Sequence, residues 1–436
     1  MGHRSSRNPY NVAVVAFVAL GSLAFGYAAS IISTTLAQPS FIAYFNMDKR
    51  SNTAAIQGAM NGLYTAGGFF GALLSSWLAE RFGRKKTIFG ACVTSTIGGA
   101  LQAGSVDIGM FIFVRHDIGS DPAVPNRDIS SAFAGDDGRF TRRFDHVISK
   151  GRPEEALKIV ERLHRDETDP DDVFAYREYQ QIKQQFEIDK KNEVSWKEMF
   201  VKKSYRKRLI IGFMVMFASQ TTGTTVINNY GPLLYGSLGF DTSKQLLIAS
   251  CWITLALVGN CFNALTLDRI GRVRALQIGW IGDLVALIGE CVALSNYQQT
   301  GSQQAAIASV AFLFVHIFFF SFNVDATSYV YVGEIFPTHI RAKGMAASIS
   351  GYFLSLLIYL ESGPTAFANI EWKFYLVFLV GIFLFIIPTF WYYPETKGLS
   401  LEEINRLFDD EVAEVNLYDN SAVKDVGHAE EVEKKE

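Results

Sequence analysis

The residues best placed to do chemistry lie inside long apolar runs, where a polar group must find a partner. Gln220, Thr222, Thr225 and Asn228, followed by Asn229 and Tyr230, cluster around Gly223 and offer amides and hydroxyls that both donate and accept hydrogen bonds. Such a face can hold a small polar ligand. It can equally hold a neighbouring helix, because interhelical hydrogen bonds use the same residue types. Three carboxylates, Asp283, Glu290 and Asp325, sit at apolar depth as well. An ionisable group there costs about 2.5–3.5 kcal/mol on insertion scales, which makes each a functional candidate unless its neighbours satisfy it. Nothing in the chain resembles a phosphate-binding loop, a metal-ligand cluster or a catalytic triad, so no enzyme activity and no cofactor is expected.

Long helices must position these groups. The chain of 436 residues is 49% hydrophobic, contains 35 Phe and has a mean hydropathy of +0.15, values that point to a membrane protein. About 20 helical residues cross a hydrocarbon core of roughly 30 Å. Nine complete spans are expected, near 10–36, 57–79, 87–105, 208–236, 245–267, 275–295, 304–333, 345–363 and 373–393. A tenth run, 108–114, is a stub that Arg115 and His116 should end. Lipid offers the backbone no hydrogen-bond partner, so the expected fold class is all-α. The four cysteines, Cys92, Cys251, Cys261 and Cys291, fall inside spans and read as small hydrophobes. The apolar run behind Met1–Asn8 reads as a first membrane helix rather than a removable signal, and a loose myristoylation pattern at Gly2 and Ser6 would add little to it.

Charge fixes the topology. The net charge of −3 says little, but three loops are densely basic: Glu80-Arg-Phe-Gly-Arg-Lys-Lys86, Asp268-Arg-Ile-Gly-Arg-Val-Arg274 and Ile340-Arg-Ala-Lys-Gly344. The positive-inside rule places all three in the cytoplasm. The first two repeat one pattern about 190 residues apart, which implies two like halves. Gly62, Gly67, Gly68 and Gly71 in the helix before the first copy permit close approach of another helix.

Between the halves, 116–143 is rich in Asp, Pro, Gly and Ser and reads as disordered. Beyond it, 153–163, 173–186 and the pair Trp196 and Phe200 carry the apolar faces of short cytoplasmic amphipathic helices. The crossing count then fails. Three spans from a cytoplasmic start leave residue 106 outside, yet the span at 208 must start inside, so an odd number of crossings is missing.

Six separated motifs, in order, resemble the sugar porter family of the major facilitator superfamily, especially its fungal members. They are Phe25-Gly-Tyr27, the stretch from Gly71 through Lys86, Gln220-Thr-Thr-Gly223, Asp268-Arg-Ile-Gly-Arg272, Glu334-Ile-Phe-Pro-Thr-His-Ile-Arg341 and Pro394-Glu-Thr-Lys-Gly398. The resemblance implies twelve helices in two bundles, of which helices four to six are absent here. It implies that Arg81, Arg84, Lys85, Arg269, Arg272, Glu334, Arg341 and Glu395 form ion pairs that hold an inward gate closed; simple anchoring by positive charge is the plainer reading, since exposed pairs are worth about 0–1 kcal/mol. It also implies a sugar site in which Gln220 keeps a family position, while Thr225, Tyr329, Tyr352 and Ala256 replace an asparagine, a tryptophan and two further asparagines. Ala28 stands where proton-coupled members carry an aspartate, and Asp325 is the candidate replacement. Asp283 and Glu290, seven apart on a helix that is peripheral in the family, read as structural.

The expected organisation is an incomplete membrane bundle at 1–114, a cytoplasmic linker with amphipathic helices at 115–207, a six-helix bundle at 208–393 and a cytoplasmic tail at 394–436. The expected function is secondary-active or facilitative transport of a sugar, polyol or similar polar molecule by alternating access, impaired in this truncated form. A transporter-like sugar receptor and an inactive splice or gene-model fragment are the alternatives. Expected partners are the small substrate, the lipid bilayer and protons as a coupling ion, with no nucleic acid. The expected location is a multi-pass site in the plasma membrane.

Overall fold

The computed structural model describes residues 38–47, 50, 52–82, 84–119, 194–337, 339–399 and 401–410, with positions 26, 32 and 34–36 beside them. Among the described residues every regular element is helical, as an apolar chain without solvent for its backbone requires. In the first half these are α1 (Pro39–Tyr44), α2 (Thr53–Phe82), α3 (Arg84–Ala103) and α4 (Ile108–Gly119). The second half runs from α5 (Trp196–Val201) through α6 (Lys203–Thr221), α7 (Thr224–Ser237), α8 (Thr242–Ile270), α9 (Arg272–Thr300) and α10 (Gln303–Phe319). A π-helical turn, Phe320–Val324, leads into α11 (Asp325–Ile335), followed by α12 (Arg341–Ile370), α13 (Phe374–Trp391) and α14 (Leu401–Leu407).

Among the described residues, five continuous stretches are long and apolar enough to cross a membrane: 203–237, 242–270, 272–300, 303–335 and 341–391. The last, at 51 residues, would be about 77 Å as one straight helix, more than twice a hydrocarbon core. It therefore folds into α12 and α13 at a short turn, Glu371–Lys373, which begins on the positive φ of Glu371. Two other stretches are interrupted rather than doubled. Gly223, at φ 76°, breaks the first into α6 and α7, and the π turn offsets α11 from α10.

Two expectations change here. The stub does not stop at Arg115: α4 continues to Gly119, because the guanidinium is buried against α2 instead of needing water. Near α5, a capping box between Ser195 and Glu198 starts the helix, which turns Met199 inward and leaves Trp196 and Phe200 exposed. A six-residue helix buries one position, and aromatic rings are favoured at a membrane boundary. Most of the span expected at 10–36, and the amphipathic segments expected between 144 and 193, lie outside the described residues.

The two halves meet where α2 runs along α12. Close approach depends on missing side chains. A Cβ on Gly58 would stand 2.5 Å from the Glu361 carbonyl oxygen, and one on Gly68 would strike the Phe353 ring at 2.3 Å. Gly62 faces the Glu361 carboxylate in the same seam. Two of the glycines picked out in the sequence, Gly62 and Gly68, thus have this role, and Gly58 joins them. Within the second half, α6 packs on α12, and α9 on α10 and α13.

Candidate functional site

The helix break at Gly223 organises the first polar group. Its φ of 76° favours glycine, and a Cβ there would sit 2.6 Å from the Phe378 ring of α13. Around the break Gln220 is buried, and its Oε1 accepts a hydrogen bond from Thr225 at 2.5 Å while its Nε2 donates to Ser219 Oγ at 3.3 Å. Thr222 is fully buried; its hydroxyl donates to the Ser219 carbonyl at 2.9 Å and lies 2.8 Å from Thr224 Oγ1. Thr225 and Asn228 are half-buried one turn further along α7, and Asn229 donates to the Thr225 carbonyl at 2.9 Å. Gln220 and Thr225 therefore form one unit across the break.

The second group stands on α11 and α12. Asp325 begins α11 at the end of the π turn and accepts from Asn260 of α8 at 2.8 Å. One turn on, Tyr329 faces Tyr352 of α12 with ring centroids 6.2 Å apart, and Asp325 is within electrostatic reach of both rings. π turns recur at functional sites because the extra residue re-aims the side chains that follow. Here the side chains re-aimed are Asp325 and Tyr329. Ala256, the position where the family pattern has an asparagine, gives its carbonyl to Asn260 at 3.2 Å.

Two further constellations escaped the sequence reading. His316 of α10 and Asp283 of α9 are both fully buried, with Nδ1 and Oδ1 3.1 Å apart, and His316 Nε2 lies 2.9 Å from Thr224 Oγ1. A chain of four side chains, Asp283, His316, Thr224 and Thr222, thus ties α9 and α10 to the helix break. Glu290 is separate, buried and bonded by Ser309 at 2.7 Å. The second constellation is Arg115. Its Nε donates to the Met60 carbonyl at 3.1 Å and its guanidinium lies 4.7 Å from the Tyr64 ring centre.

The cluster around Arg272 and Glu334, expected on the cytoplasmic side, is tightly knit, but in a different way from a set of equal ion pairs. Arg272 Nε is 3.1 Å from both oxygens of Glu334, Nη2 is 2.9 Å from one of them and 2.8 Å from Asp268, and Thr396 donates to Glu334 at 2.6 Å. Glu395 pairs with no side-chain cation among the described residues; it caps α9, accepting from the backbone of Arg272 at 2.8 Å and of Val273 at 3.1 Å. A carboxylate is favoured there by the exposed amides and dipole of a helix start. Arg341 turns its Nε to the Phe336 carbonyl at 3.0 Å, and the exposed Arg269 contributes its carbonyl to Lys397. Arg81 lies over Trp77 and Phe82 at the end of α2. The side chains of Arg84 and Lys85 lie outside the described residues.

A second cluster of charged contacts holds α14. Asp410 meets Arg208 at 2.6 Å and Lys202 at 3.1 Å, Asn405 accepts from Arg208 at 3.1 Å, and Phe408 is buried under the same guanidinium. Burial works against the charged form of Lys202, but Tyr205 and Asp410 outweigh it and raise the ammonium above its usual value. Burial also pushes the Tyr393 phenol up, where it stacks on Tyr331.

A family model for sugar (and other) transporters matches residues 14–119 and 143–408. An MFS-type transporter of Aspergillus cristatus, criB, is 28% identical over 449 aligned positions that cover 88% of this chain and 90% of the relative. The high-affinity glucose transporter of Kluyveromyces lactis is 24% identical, over 92% of this chain and 86% of its own. Among solved structures, the proton:xylose symporter XylE bound to 6-bromo-6-deoxy-D-glucose superposes with a TM-score of 0.73 at 18% identity, covering 92% of this chain and 99% of its own. A partially occluded inward-open form of XylE from E. coli gives 0.67 at 17% identity, over 90% and 100% of the two chains.

Proposed function

Since this chain belongs to the sugar transporter family of the major facilitator superfamily, a family of multi-pass membrane transporters and not of enzymes, we propose that it binds a sugar, polyol or similar polar molecule and carries it by alternating access between its two halves. The observation that carries this reading is the broken helix at Gly223, where Gln220 and Thr225 hold a polar pair at membrane depth. Hydroxyl-rich substrates need groups that donate and accept at once, which amides and hydroxyls do. Thr222 and Asn228 flank the pair, and Tyr329 and Tyr352 supply an aromatic wall. Asp325 is the carboxylate for a coupled proton. Arg272, Glu334 and Arg341, with Glu395 as a cap and Arg81, Arg84, Lys85 and Arg269 at neighbouring loops, serve as the inner gate, where weak multiple contacts can break and re-form.

Nine membrane helices are assigned to the chain, six of them after residue 208. The first half, 1–114 with its continuation to Gly119, lacks the rest of the fourth helix and the fifth and sixth. Three observations support this. The family match skips 120–142, the crossing count is odd, and the alignment with the Aspergillus cristatus relative is longer than this whole chain. Residues 115–207 are assigned to a cytoplasmic linker and 394–436 to a tail, at the plasma membrane. The form with this sequence is impaired in transport, as an aberrant splice or gene-model product would be; the short tail gives a sugar-receptor role less support. Reconstituting a form with the missing helices restored into liposomes, and measuring counterflow of labelled sugars, tests the reading. Saturable counterflow is expected, and its absence for every sugar and polyol tried would refute it.

A further inference from the structure

Arg115 ranks with the largest fully buried side chains of the protein, 2% exposed, and sits where α4 meets α2. Its Nε is taken by the Met60 carbonyl, and its Nη2 has no hydrogen-bond partner among the described residues. Among the described residues, the groups within electrostatic reach of it are the phenols of Tyr64 and Tyr230, which are neutral at physiological pH. An arginine keeps its charge in such a place, and a buried charge without a counter-ion is costly.

Among the described side chains, no carboxylate of the first half answers it. The first 47 residues contain no Asp or Glu, and between Asp48 and Asp107 the sole acidic residue is Glu80. Glu80 lies twenty residues beyond Met60 on α2, about 30 Å away along the helix. Asp107 is exposed and takes the Gly109 amide at 2.8 Å. From the second half, Glu361 lies against Gly62, which is about 200° around α2 from Met60, and Asp325 is held by Asn260.

The unanswered cation borders the candidate substrate site. Tyr64, whose ring carries the guanidinium, is within electrostatic reach of Tyr352. Tyr230 joins the halves on the same side, accepting from Asn61 at 3.0 Å and donating to the Leu360 carbonyl at 2.9 Å. We propose, on the transporter reading above, that Arg115 is the anion-binding residue of the substrate site and that the substrate is a polyhydroxylated carboxylate, a sugar acid, rather than a neutral sugar. A single guanidinium matches a single negative charge. A phosphate monoester would call for a second cation, and between residues 53 and 114 the basic residues are Arg81, Arg84, Lys85 and Lys86, all at the cytoplasmic end.

The test is binding to the purified full-length chain in lipid nanodiscs, by calorimetry at constant ionic strength. D-glucuronate and D-glucose form the informative pair, since they share a ring and differ by a carboxylate in place of a hydroxymethyl group; D-glucose 6-phosphate is the third ligand. Glucuronate should bind about tenfold or more tighter than glucose and than the phosphate ester. Arg115→Gln should bring the glucuronate-to-glucose ratio close to one, and Arg115→Lys should leave it between the two. Glucose binding as tightly as glucuronate to the unmodified chain overturns the anion inference alone and leaves the sugar site standing, as does an undiminished preference in Arg115→Gln. Tightest binding of the phosphate ester overturns the carboxylate class, and no binding of any of the three to this chain overturns the anion inference, while the substrate site is tested separately by counterflow in the restored form.

Discussion

Arg272 grips Glu334 with two of its nitrogens, Nε at 3.1 Å and Nη2 at 2.9 Å, and so joins the start of α9 to the end of α11. Both side chains are mostly buried, 12% and 14% exposed, which places the pair between a surface bridge and a core one. Its coupling should therefore be about 2 kcal/mol. A double-mutant cycle of Arg272→Ala and Glu334→Ala, read by thermal unfolding in detergent, should return that value. Coupling near zero would reduce the cluster to anchoring by positive charge.

Asp283 and His316 form a fully buried polar contact in the second half, and Thr224 extends it to the helix break. Removing one partner strands the other, so His316→Ala should cost about 3–5 kcal/mol. Thr224→Val should cost less, about 1 kcal/mol, since one hydrogen bond to a histidine is lost. Unfolding midpoints and the yield of monodisperse protein check the order. Equal losses for the two variants would show that the pair is not the element that holds α9 to α10.

Gly223 combines a positive φ with a ring 2.6 Å from where a Cβ would be. Gly223→Ala should destabilise by about 2–4 kcal/mol, from left-handed strain and from overpacking against Phe378 together. A second substitution, Phe378→Leu, should recover part of the loss, and failure to recover any would locate the cost in the backbone alone.

In the proposed transport function, Gln220 contacts the substrate through its amide. In a form with the helices proposed to be missing inserted, Gln220→Ala should raise the half-saturating substrate concentration about tenfold, the effect of losing one well-placed hydrogen bond in a buried site. Unchanged uptake kinetics would make the Gln220–Thr225 bond a structural clasp of the helix break.

Long apolar runs made the helices after residue 208 legible in the sequence, because twenty such residues have few other destinations. The Arg272 and Glu334 contact was legible too, since the basic and acidic motifs were expected at one and the same membrane face. Other features were hidden for physical reasons. Hydropathy treats Arg115 as a terminator, yet a carbonyl and an aromatic ring let the helix run through it. Asp283 and His316 are 33 residues apart on two helices, and the signal that could have paired them was each one's isolation inside an apolar run. Glu395 carried the right charge for a gate, but its partners are backbone amides, which leave no mark on a sequence. The π turn before Asp325 has no sequence signal.

The most direct test of the whole account is uptake in cells lacking their own hexose carriers, with surface abundance measured in parallel. This exact chain should be largely retained inside the cell and show no saturable uptake of labelled sugars, polyols or sugar acids. A form in which the helices proposed to be missing are inserted between residues 119 and 144 should show both surface expression and saturable uptake. Saturable uptake by the chain as it stands, or a restored form that reaches the surface and carries nothing, would contradict it.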